Sequence, residues 1–167
     1  TDAISLIRKS VPDATVAVSF AVKQDGYTKT GRHYLDILST AAKYADIVGL
    51  NCLCGPSRMT ELLKSVPELP VPLLAMPNSG YPTVRGKHAV YGGSPPYFAD
   101  NAKRIIDAGA AVIGGCCGTK PEHIRYLSSL LGKSENSRTT AGTAKAVSDI
   151  PAKAKNELRE KLESGQR

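Results

Sequence analysis

The stretch VIGGCCGTKPEHI, residues 112–124, contains the most informative pattern in the chain. A short β-branched run leads through a glycine-rich loop into an amphipathic segment, and the loop holds two adjacent cysteines, Cys116 and Cys117. A strand, a loop and a helix with proline at its first position form one βα unit. We expect a strand over 110–115 and a helix over 121–131, with Thr119 as its N-cap.

Three more units of the same kind precede this one. Each has a short apolar run, a loop marked by glycine or proline, and a segment with helical spacing of apolar residues. The predicted strands cover 15–20, 46–51 and 71–76, and the predicted helices cover 33–45, 58–66 and 97–108. Residues 77–96 are predicted as one long loop. Consecutive βα units imply an α/β fold with a parallel sheet and helical crossovers.

The character of the chain changes after residue 131. Residues 132–150 lack apolar periodicity and are rich in Ser, Thr, Ala and Lys, which predicts a linker. Residues 151–167 are predicted as a short charged helix that stops at Gly165 and leads toward a further domain. We therefore expect the chain to be a fragment of a longer protein.

Composition and charge favour a globular protein that binds neither nucleic acid nor a membrane. The 167 residues are 41% hydrophobic and 22% charged, which is ordinary for a globular domain. The net charge of +7 comes from scattered Lys and Arg with few aromatics and no basic run of five, so nucleic acid is not an expected partner. No apolar run approaches the roughly 18 residues of a membrane span, and the first residues lack a signal-peptide core. We expect a cytoplasmic protein without a membrane partner.

All four cysteines follow predicted strands, where ligands bind in parallel sheets. Strands two apart in a barrel bring Cys52 within reach of Cys116 and Cys117. Three thiolates and one open position suit a catalytic zinc site for a thiol substrate. Glycines on both sides of the adjacent pair permit the sharp turn that lets both cysteines face one ion. Cys54 is expected to be a neutral thiol, buried or at the rim.

Three other interpretations of these residues stay open. The loop Gly114 to Thr119 could hold a phosphate at a helix N-terminus, although this leaves the cysteines unexplained. A redox dithiol is a second alternative, but neither cysteine pair has the Cys-x-x-Cys spacing. A purely structural zinc site is the third, and it needs a fourth protein ligand such as Cys54 or His88.

The motifs GLNC (49–52), MPNSG (76–80) and GGCCGTKPEHI (114–124) resemble, in order and spacing, those of the homocysteine S-methyltransferase family. The resemblance covers residues 1–131 and implies that Cys52, Cys116 and Cys117 bind zinc, with Cys54 outside the pattern. It implies methyl transfer to the thiolate of homocysteine to form methionine. It also implies a (β/α)8 barrel, normally larger than ~250 residues, of which this chain matches strands five to eight.

The resemblance leaves the methyl donor open, with S-methylmethionine, betaine and folate- or cobalamin-linked donors as alternatives. The tail LREKLESG resembles the lead-in to the methylenetetrahydrofolate reductase domain of bifunctional bacterial proteins, which favours a link to folate. Because half a barrel leaves two sheet edges unpaired, we expect the isolated chain to be weakly folded and inactive unless two copies pair.

Several polar residues near the predicted strand ends need separate interpretation. Asn51, Asn78 and, more weakly, Ser19 are candidates for substrate binding, and the two asparagines could instead orient a ligand loop. His123 is predicted to be a surface or packing residue that points away from the metal. The two other histidines, at positions 33 and 88, are expected to have no functional role.

Overall fold

The computed structural model describes residues 2–134. In chain order, the elements are α1 (Asp2–Ser10), β1 (Ala17–Ala21), α2 (Tyr34–Ala41), β2 (Ile47–Asn51), α3 (Pro56–Leu63), β3 (Leu73–Met76), β4 (Pro82–Arg85), β5 (His88–Tyr91), α4 (Pro95–Asp107), β6 (Val112–Ile113) and α5 (Pro121–Ser134). α5 extends three residues into the segment predicted as a linker. The rest of that segment and the predicted helix over 151–167 lie outside the described residues.

Four of the strands form one parallel sheet in the order β1-β2-β3-β6. The register places Ser19 opposite Gly49, and Leu50 opposite Ala75. The central strands are apolar and buried because helices cover the sheet, as parallel sheets require. The predicted α/β fold with a parallel sheet is confirmed, and β1 and β6 are the edge strands of the described sheet.

The helix boundaries differ from those predicted, and proline explains two of the differences. α3 begins at Pro56 and α4 at Pro95, each two residues before the predicted start. Proline fits the first turn of a helix because the N–H that it lacks would have no partner there. Ser94 accepts a hydrogen bond from the backbone N–H of Tyr97 and caps α4. β6 is only two residues long, Val112–Ile113, and is therefore shorter than the predicted strand over 110–115.

The segment predicted as a long loop contains an antiparallel hairpin, so that prediction is wrong in part. β4 pairs with β5, with Pro82 opposite Tyr91 and Arg85 opposite His88. The two residues between the strands begin with Gly86, whose φ of 64° is the left-handed conformation that two-residue hairpin turns use. The missed signal is the run PTVR-GK-HAVY, in which a glycine turn separates two segments with β-branched residues.

Two hydrophobic clusters stabilise this arrangement. The larger joins the sheet to α2 and α3 and includes the fully buried Leu38, Val48 and Met59. The smaller lies between α4 and α5 and is formed by Phe98, Ala99, Ala102 and Leu127. Within residues 2–134, none of the helices is long and apolar enough to cross a membrane.

Candidate functional site

The loops after β2, β3 and β6 meet at one edge of the sheet and form what we call the cysteine rim, residues 52–54, 77–80 and 114–119. The middle loop hydrogen bonds to both of the others. On one side, the N–H of Asn78 donates to the carbonyl of Cys54 at 3.0 Å. On the other, the N–H of Cys116 donates to Pro77 at 2.9 Å, and the N–H of Ser79 donates to Cys117 at 3.0 Å. Because β3 lies between β2 and β6, these bonds fix the two cysteine-bearing loops relative to each other.

Two residues of the cysteine rim have left-handed backbone conformations. Cys52 has φ of 56° and Leu53 has φ of 57°. Such conformations cost about 1–3 kcal/mol per non-glycine residue and concentrate at functional sites. The N–H of Cys54 donates to the carbonyl of Cys52 at 2.7 Å, which closes a tight turn. The chain therefore reverses directly after β2, at the residue whose sulfur joins the cluster described next.

The sulfur atoms of Cys52, Cys116 and Cys117 all lie within 4.8 Å of one another. Within this group, Cys52 Sγ and Cys117 Sγ are 3.5 Å apart. Bonds of about 2.3 Å in a tetrahedral zinc shell place two sulfurs about 3.8 Å apart, so the cluster fits three corners of such a shell. Cys117 is exposed and the other two are half-buried, so one side of the cluster faces solvent.

The thiols of the cluster differ in acidity. Burial disfavours the thiolate of Cys52, but hydrogen bonds from the N–H of Leu53 and from the two neighbouring thiols outweigh burial and lower its pKa. Burial and the hydrogen bond to Cys52 raise the pKa of Cys116 to about 11. Without a cation, the raised pKa keeps the Cys116 thiol protonated at neutral pH. Three soft sulfur donors in this spacing suit a metal such as Zn²⁺, which provides the positive charge.

Asn78 connects the middle loop to the adjacent cysteines. Its side chain is buried, and its Oδ1 accepts a hydrogen bond from the backbone N–H of Cys117 at 3.2 Å. Metal sites typically have buried polar groups of this kind that orient the ligand residues. The structure thus brings Asn78 into the cysteine rim, where it orients the loop. Its contact with a substrate remains a prediction.

The other predicted residues lie at different distances from the cluster. Asn51 is the last residue of β2, half-buried and directly before Cys52. Ser19 lies in the middle of β1, two residues before the end of that strand. Cys54 is buried, and burial raises its pKa to about 11. His88 is exposed on β5. Within residues 2–134, neither Cys54 nor His88 belongs to the group of three clustered sulfurs.

Tyr91, at the end of β5, is a site residue that the sequence did not reveal. The interaction of its side chain with the Cys117 thiol raises the pKa of Tyr91, and burial and the other thiols act in the same direction. The base of this side chain lies against Gly118, so the hairpin packs on the loop that carries the adjacent cysteines. Sequence spacing alone could not indicate this contact, because the pattern of residues 77–96 predicts a loop.

His123 is buried and links the start of α5 to the end of the hairpin. Its Nδ1 accepts the N–H of Lys120 at 3.1 Å, and its Nε2 donates to the carbonyl of Gly93 at 2.8 Å. Its ring packs edge-on against Phe98. The prediction of a packing role is confirmed. The N-cap prediction is wrong, since Thr119 Oγ1 is buried without a hydrogen-bond partner in the described residues.

The signal for His123 was present in the sequence. A side chain three residues after the N-cap position commonly reaches back to the backbone N–H of the cap, as in the capping box. Lys120 occupies the cap position before Pro121, and His123 is the third residue of the helix. Glutamate or glutamine usually has this role, and the imidazole replaces them here.

Phosphate binding by the glycine-rich loop is disfavoured by the hydrogen bonds of the loop itself. An anion at a helix N-terminus needs free backbone N–H groups that point at it. Here four N–H groups of the loop donate within the protein, to Ala75, Pro77, the side chain of Asn78, and Cys116. The loop is therefore held in place to present sulfur atoms and not backbone donors.

Comparison with known proteins agrees with this chemistry. The model of a family described as homocysteine S-methyltransferase matches residues 1–131. A methionine synthase of Mycobacterium leprae is 35% identical over 99 residues, which are 58% of this chain and 8% of that protein. A homocysteine S-methyltransferase of Escherichia coli is 30% identical over 131 residues, which are 75% of this chain and 42% of that protein.

A solved structure shows the same likeness. The metallated form of the homocysteine methyltransferase MmuM from Escherichia coli superposes with a TM-score of 0.57 at 26% identity. The match covers 77% of this chain and 40% of that one. The chain thus spans less than half the length of each of these relatives.

Proposed function

Because the chain belongs to the homocysteine S-methyltransferase family, we propose that it supplies the zinc-binding part of an enzyme that transfers a methyl group to the thiolate of homocysteine, forming methionine. The observation that carries the proposal is the group of three sulfur atoms within 4.8 Å of one another at the ends of parallel strands. The similar Escherichia coli enzyme has a metallated form, which supports a metal at this position.

We propose Cys52, Cys116 and Cys117 as the three ligands of Zn²⁺. Zinc with three sulfur ligands and an open position supplies Lewis acidity that stabilises the thiolate form of a substrate thiol at neutral pH. The solvent-facing side of the cluster, next to the exposed Cys117, is where a small thiol can approach. A purely structural site would need a fourth protein ligand, and within residues 2–134 the sulfur group has only three members.

Asn78 and Ser79 hold the backbone of the proposed ligand Cys117 in place. The buried Asn78 holds the N–H of Cys117, and the N–H of Ser79 holds the carbonyl of the same cysteine. Both groups of the Cys117 backbone are therefore fixed before a substrate arrives, which reduces the reorganisation needed for binding. Asn51 and Ser19 are proposed as further substrate contacts, since Asn51 ends β2 directly before Cys52 and Ser19 lies on the neighbouring strand β1.

We further propose that the four βα units form half of a (β/α)8 barrel. Support comes from the parallel order β1-β2-β3-β6 and from the 40% coverage of the related solved chain. In such a barrel, a second set of four units would pair with the edge strands β1 and β6. The likeness to a methionine synthase favours a folate- or cobalamin-linked methyl donor.

Zinc X-ray absorption with and without homocysteine tests the proposed function. We expect three sulfur ligands and one light atom in the absence of homocysteine. Four sulfur ligands and the release of about one proton are expected in its presence, because the thiol must deprotonate to bind. A sulfur count that does not change at saturating homocysteine would contradict the proposal, and four protein ligands throughout would indicate a structural zinc site.

Variants of the four cysteines identify the ligands. Alanine in place of Cys52, Cys116 or Cys117 should abolish stoichiometric zinc binding, since two sulfurs do not hold the ion. Cys54→Ala is the matched control, because this cysteine lies in the same loop as Cys52 and outside the sulfur group. Metal analysis of the purified variants measures the result. Zinc retained at one equivalent in Cys117→Ala would refute the three-thiolate site.

A further inference from the structure

The segments that follow the four strands of the parallel sheet are rich in basic residues. Since the strands run in the same direction, these segments lie at the edge of the sheet that carries the cysteine rim. We call them the basic loops: residues 22–33, 52–55, 77–94 and 114–120. Their one acidic residue, Asp25, forms an ion pair with Lys23 at 2.9 Å. Their lysine and arginine residues are all exposed: Lys23, Lys29, Arg32, Arg85, Lys87 and Lys120.

Six cations and one aspartate give the basic loops a net charge of +5. The segments that lead into the strands, residues 11–16, 42–46, 64–72 and 108–111, contain two lysines and three acidic residues, a net charge of −1. The helices of residues 2–134 contain seven basic and six acidic residues, which nearly cancel. The cations are scattered along the sequence, but the fold collects them at the edge where the cysteines cluster.

Two of the basic loops are fixed next to the cysteine-bearing loops. Arg58 of α3 donates from Nε to the carbonyl of Gln24 at 2.7 Å, which ties the loop after β1 to the helix that follows residues 52–55. The Cβ atom of Tyr91 lies against Gly118, so the base of the hairpin packs on the loop that carries the adjacent cysteines. The cations of both loops therefore act on the same side of the sheet as the proposed metal site.

The proposed metal site does not account for all of this charge. Zn²⁺ with three thiolate ligands has a formal charge of about −1, and a bound homocysteine thiolate makes it about −2. The net charge of +5 on the basic loops is larger than either value. Positive charge therefore remains for a second reactant.

Methyl transfer itself favours positive side chains near the methyl donor. The thiolate of homocysteine forms the carbon–sulfur bond with its own electron pair, and the electron pair of the broken bond stays on the donor. One unit of negative charge therefore moves from the sulfur to the donor. Nearby cations attract anionic reactants and stabilise negative charge that develops during the reaction, whereas they repel a cationic donor.

We propose that the basic loops bind a methyl donor of net negative charge, and not a sulfonium or a quaternary ammonium donor. The inference rests on the proposed function, and it selects among the donors that the family resemblance leaves open. A folate with a tail of several glutamates has the required carboxylates. S-Methylmethionine and betaine each carry a fixed positive charge next to the methyl group that is transferred.

Charge reversal on the zinc-loaded full chain tests this inference. Arg85→Glu combined with Lys87→Glu replaces two exposed cations of the hairpin turn, outside the proposed metal site. Lys43→Glu combined with Lys64→Glu is the matched control, because it makes the same change in charge at the opposite edge of the sheet. The probe is 5-methyltetrahydropteroyltriglutamate, and its affinity is measured by isothermal titration calorimetry in the presence of homocysteine.

We expect the hairpin variant to bind the probe about tenfold more weakly, because two attractive charges become repulsive. The control variant should remain within about twofold of the unsubstituted chain, because its substitutions lie more than a Debye length of about 10 Å from the site. An increase in salt from about 50 to about 200 mM should weaken binding to the unsubstituted chain, since exposed charges are screened.

The inference is wrong if S-methylmethionine binds more tightly than the triglutamate probe, or if both pairs of substitutions weaken binding of the probe equally. Zinc content and the sulfur count with homocysteine are measured on the same samples. A chain that binds zinc and homocysteine but not the probe would overturn only the choice of donor. Failure to bind zinc or homocysteine would overturn the proposed function itself.

Discussion

The cysteine rim and the β4–β5 hairpin lie next to each other and are held in different ways. The rim depends on hydrogen bonds between segments far apart in sequence, such as Cys117 to Asn78, and it includes the left-handed Cys52 and Leu53. The hairpin depends on pairing between neighbouring residues around a two-residue turn, and nearly all of it is exposed. Substitutions in the rim should therefore alter both stability and metal binding, whereas substitutions at the tip of the hairpin should remain local.

The largest difference is expected between two glycines with similar backbone angles. Gly118 has φ of 77° and Gly86 has φ of 64°, so alanine at either position incurs the left-handed penalty of about 1–2 kcal/mol. At Gly118 the new methyl group also overlaps Tyr91, whereas at Gly86 it has nothing within 4 Å. We expect Gly118→Ala to lower the free energy of unfolding by about 2–4 kcal/mol and to weaken zinc binding.

Gly86→Ala is the matched control for backbone strain. It should lower the free energy of unfolding by only the left-handed penalty of about 1–2 kcal/mol and leave zinc affinity unchanged. Denaturant unfolding of the two variants, with zinc competition on the same samples, measures both quantities. If both substitutions changed the free energy of unfolding and the zinc affinity equally, the cysteine rim would be no more sensitive than the tip of the hairpin, contrary to this prediction.

His123 connects the two regions, because this residue of α5 hydrogen bonds to Gly93, just after the hairpin. Substitutions of His123 therefore measure how much this connection stabilises the fold. Removal of the imidazole leaves the Lys120 N–H and the Gly93 carbonyl without their partner. We expect His123→Ala to lower the free energy of unfolding by about 2 kcal/mol. His123→Gln should recover part of this loss, since glutamine at this helix position can accept the Lys120 N–H. Chemical denaturation that shows the same loss for both variants would contradict the capping role.

The smallest effect is expected at Asp46, outside both regions. Hydrogen bonds from Arg8 and from the N–H of Val16 hold the pKa of Asp46 below its usual value. A lowered folded-state pKa means that this carboxylate stabilises the fold above its unfolded pKa of about 3.9, and that the contribution is lost as the pH falls through the folded value. The pair with Arg8 is partly exposed, so its contribution is discounted for solvent screening.

We expect Asp46→Asn to lower the free energy of unfolding by about 0.5 kcal/mol at pH 7. The difference from the unsubstituted chain should decline as the pH falls below about 4, where the unfolded carboxylate begins to protonate. Unfolding curves at several pH values provide the measurement. A difference that grows toward low pH would show that the sign of this linkage is wrong.

Prediction from sequence succeeds where local pattern and burial agree. The four βα units are recognisable because apolar runs such as VPLLAM alternate with segments of helical spacing. Prediction fails at Pro56 and Pro95, which the pattern assigns to loops although proline also begins helices. Prediction also fails at the hairpin. Its two strands are short, exposed and without a regular apolar pattern, and several other glycines and prolines near Gly86 obscure the turn signal.

Local composition distinguishes strand residues from loop residues, and this was enough to predict that all four cysteines follow strands of a parallel sheet. Which of these cysteines lie together depends on the tertiary structure. Cys52 and Cys54 are two residues apart, yet the left-handed turn at Cys52 and Leu53 leaves one sulfur in the cluster and the other buried. The position of Tyr91 against Gly118 was likewise not predictable, because contacts between residues distant in sequence depend on strand order, register and loop hydrogen bonds that no local pattern encodes.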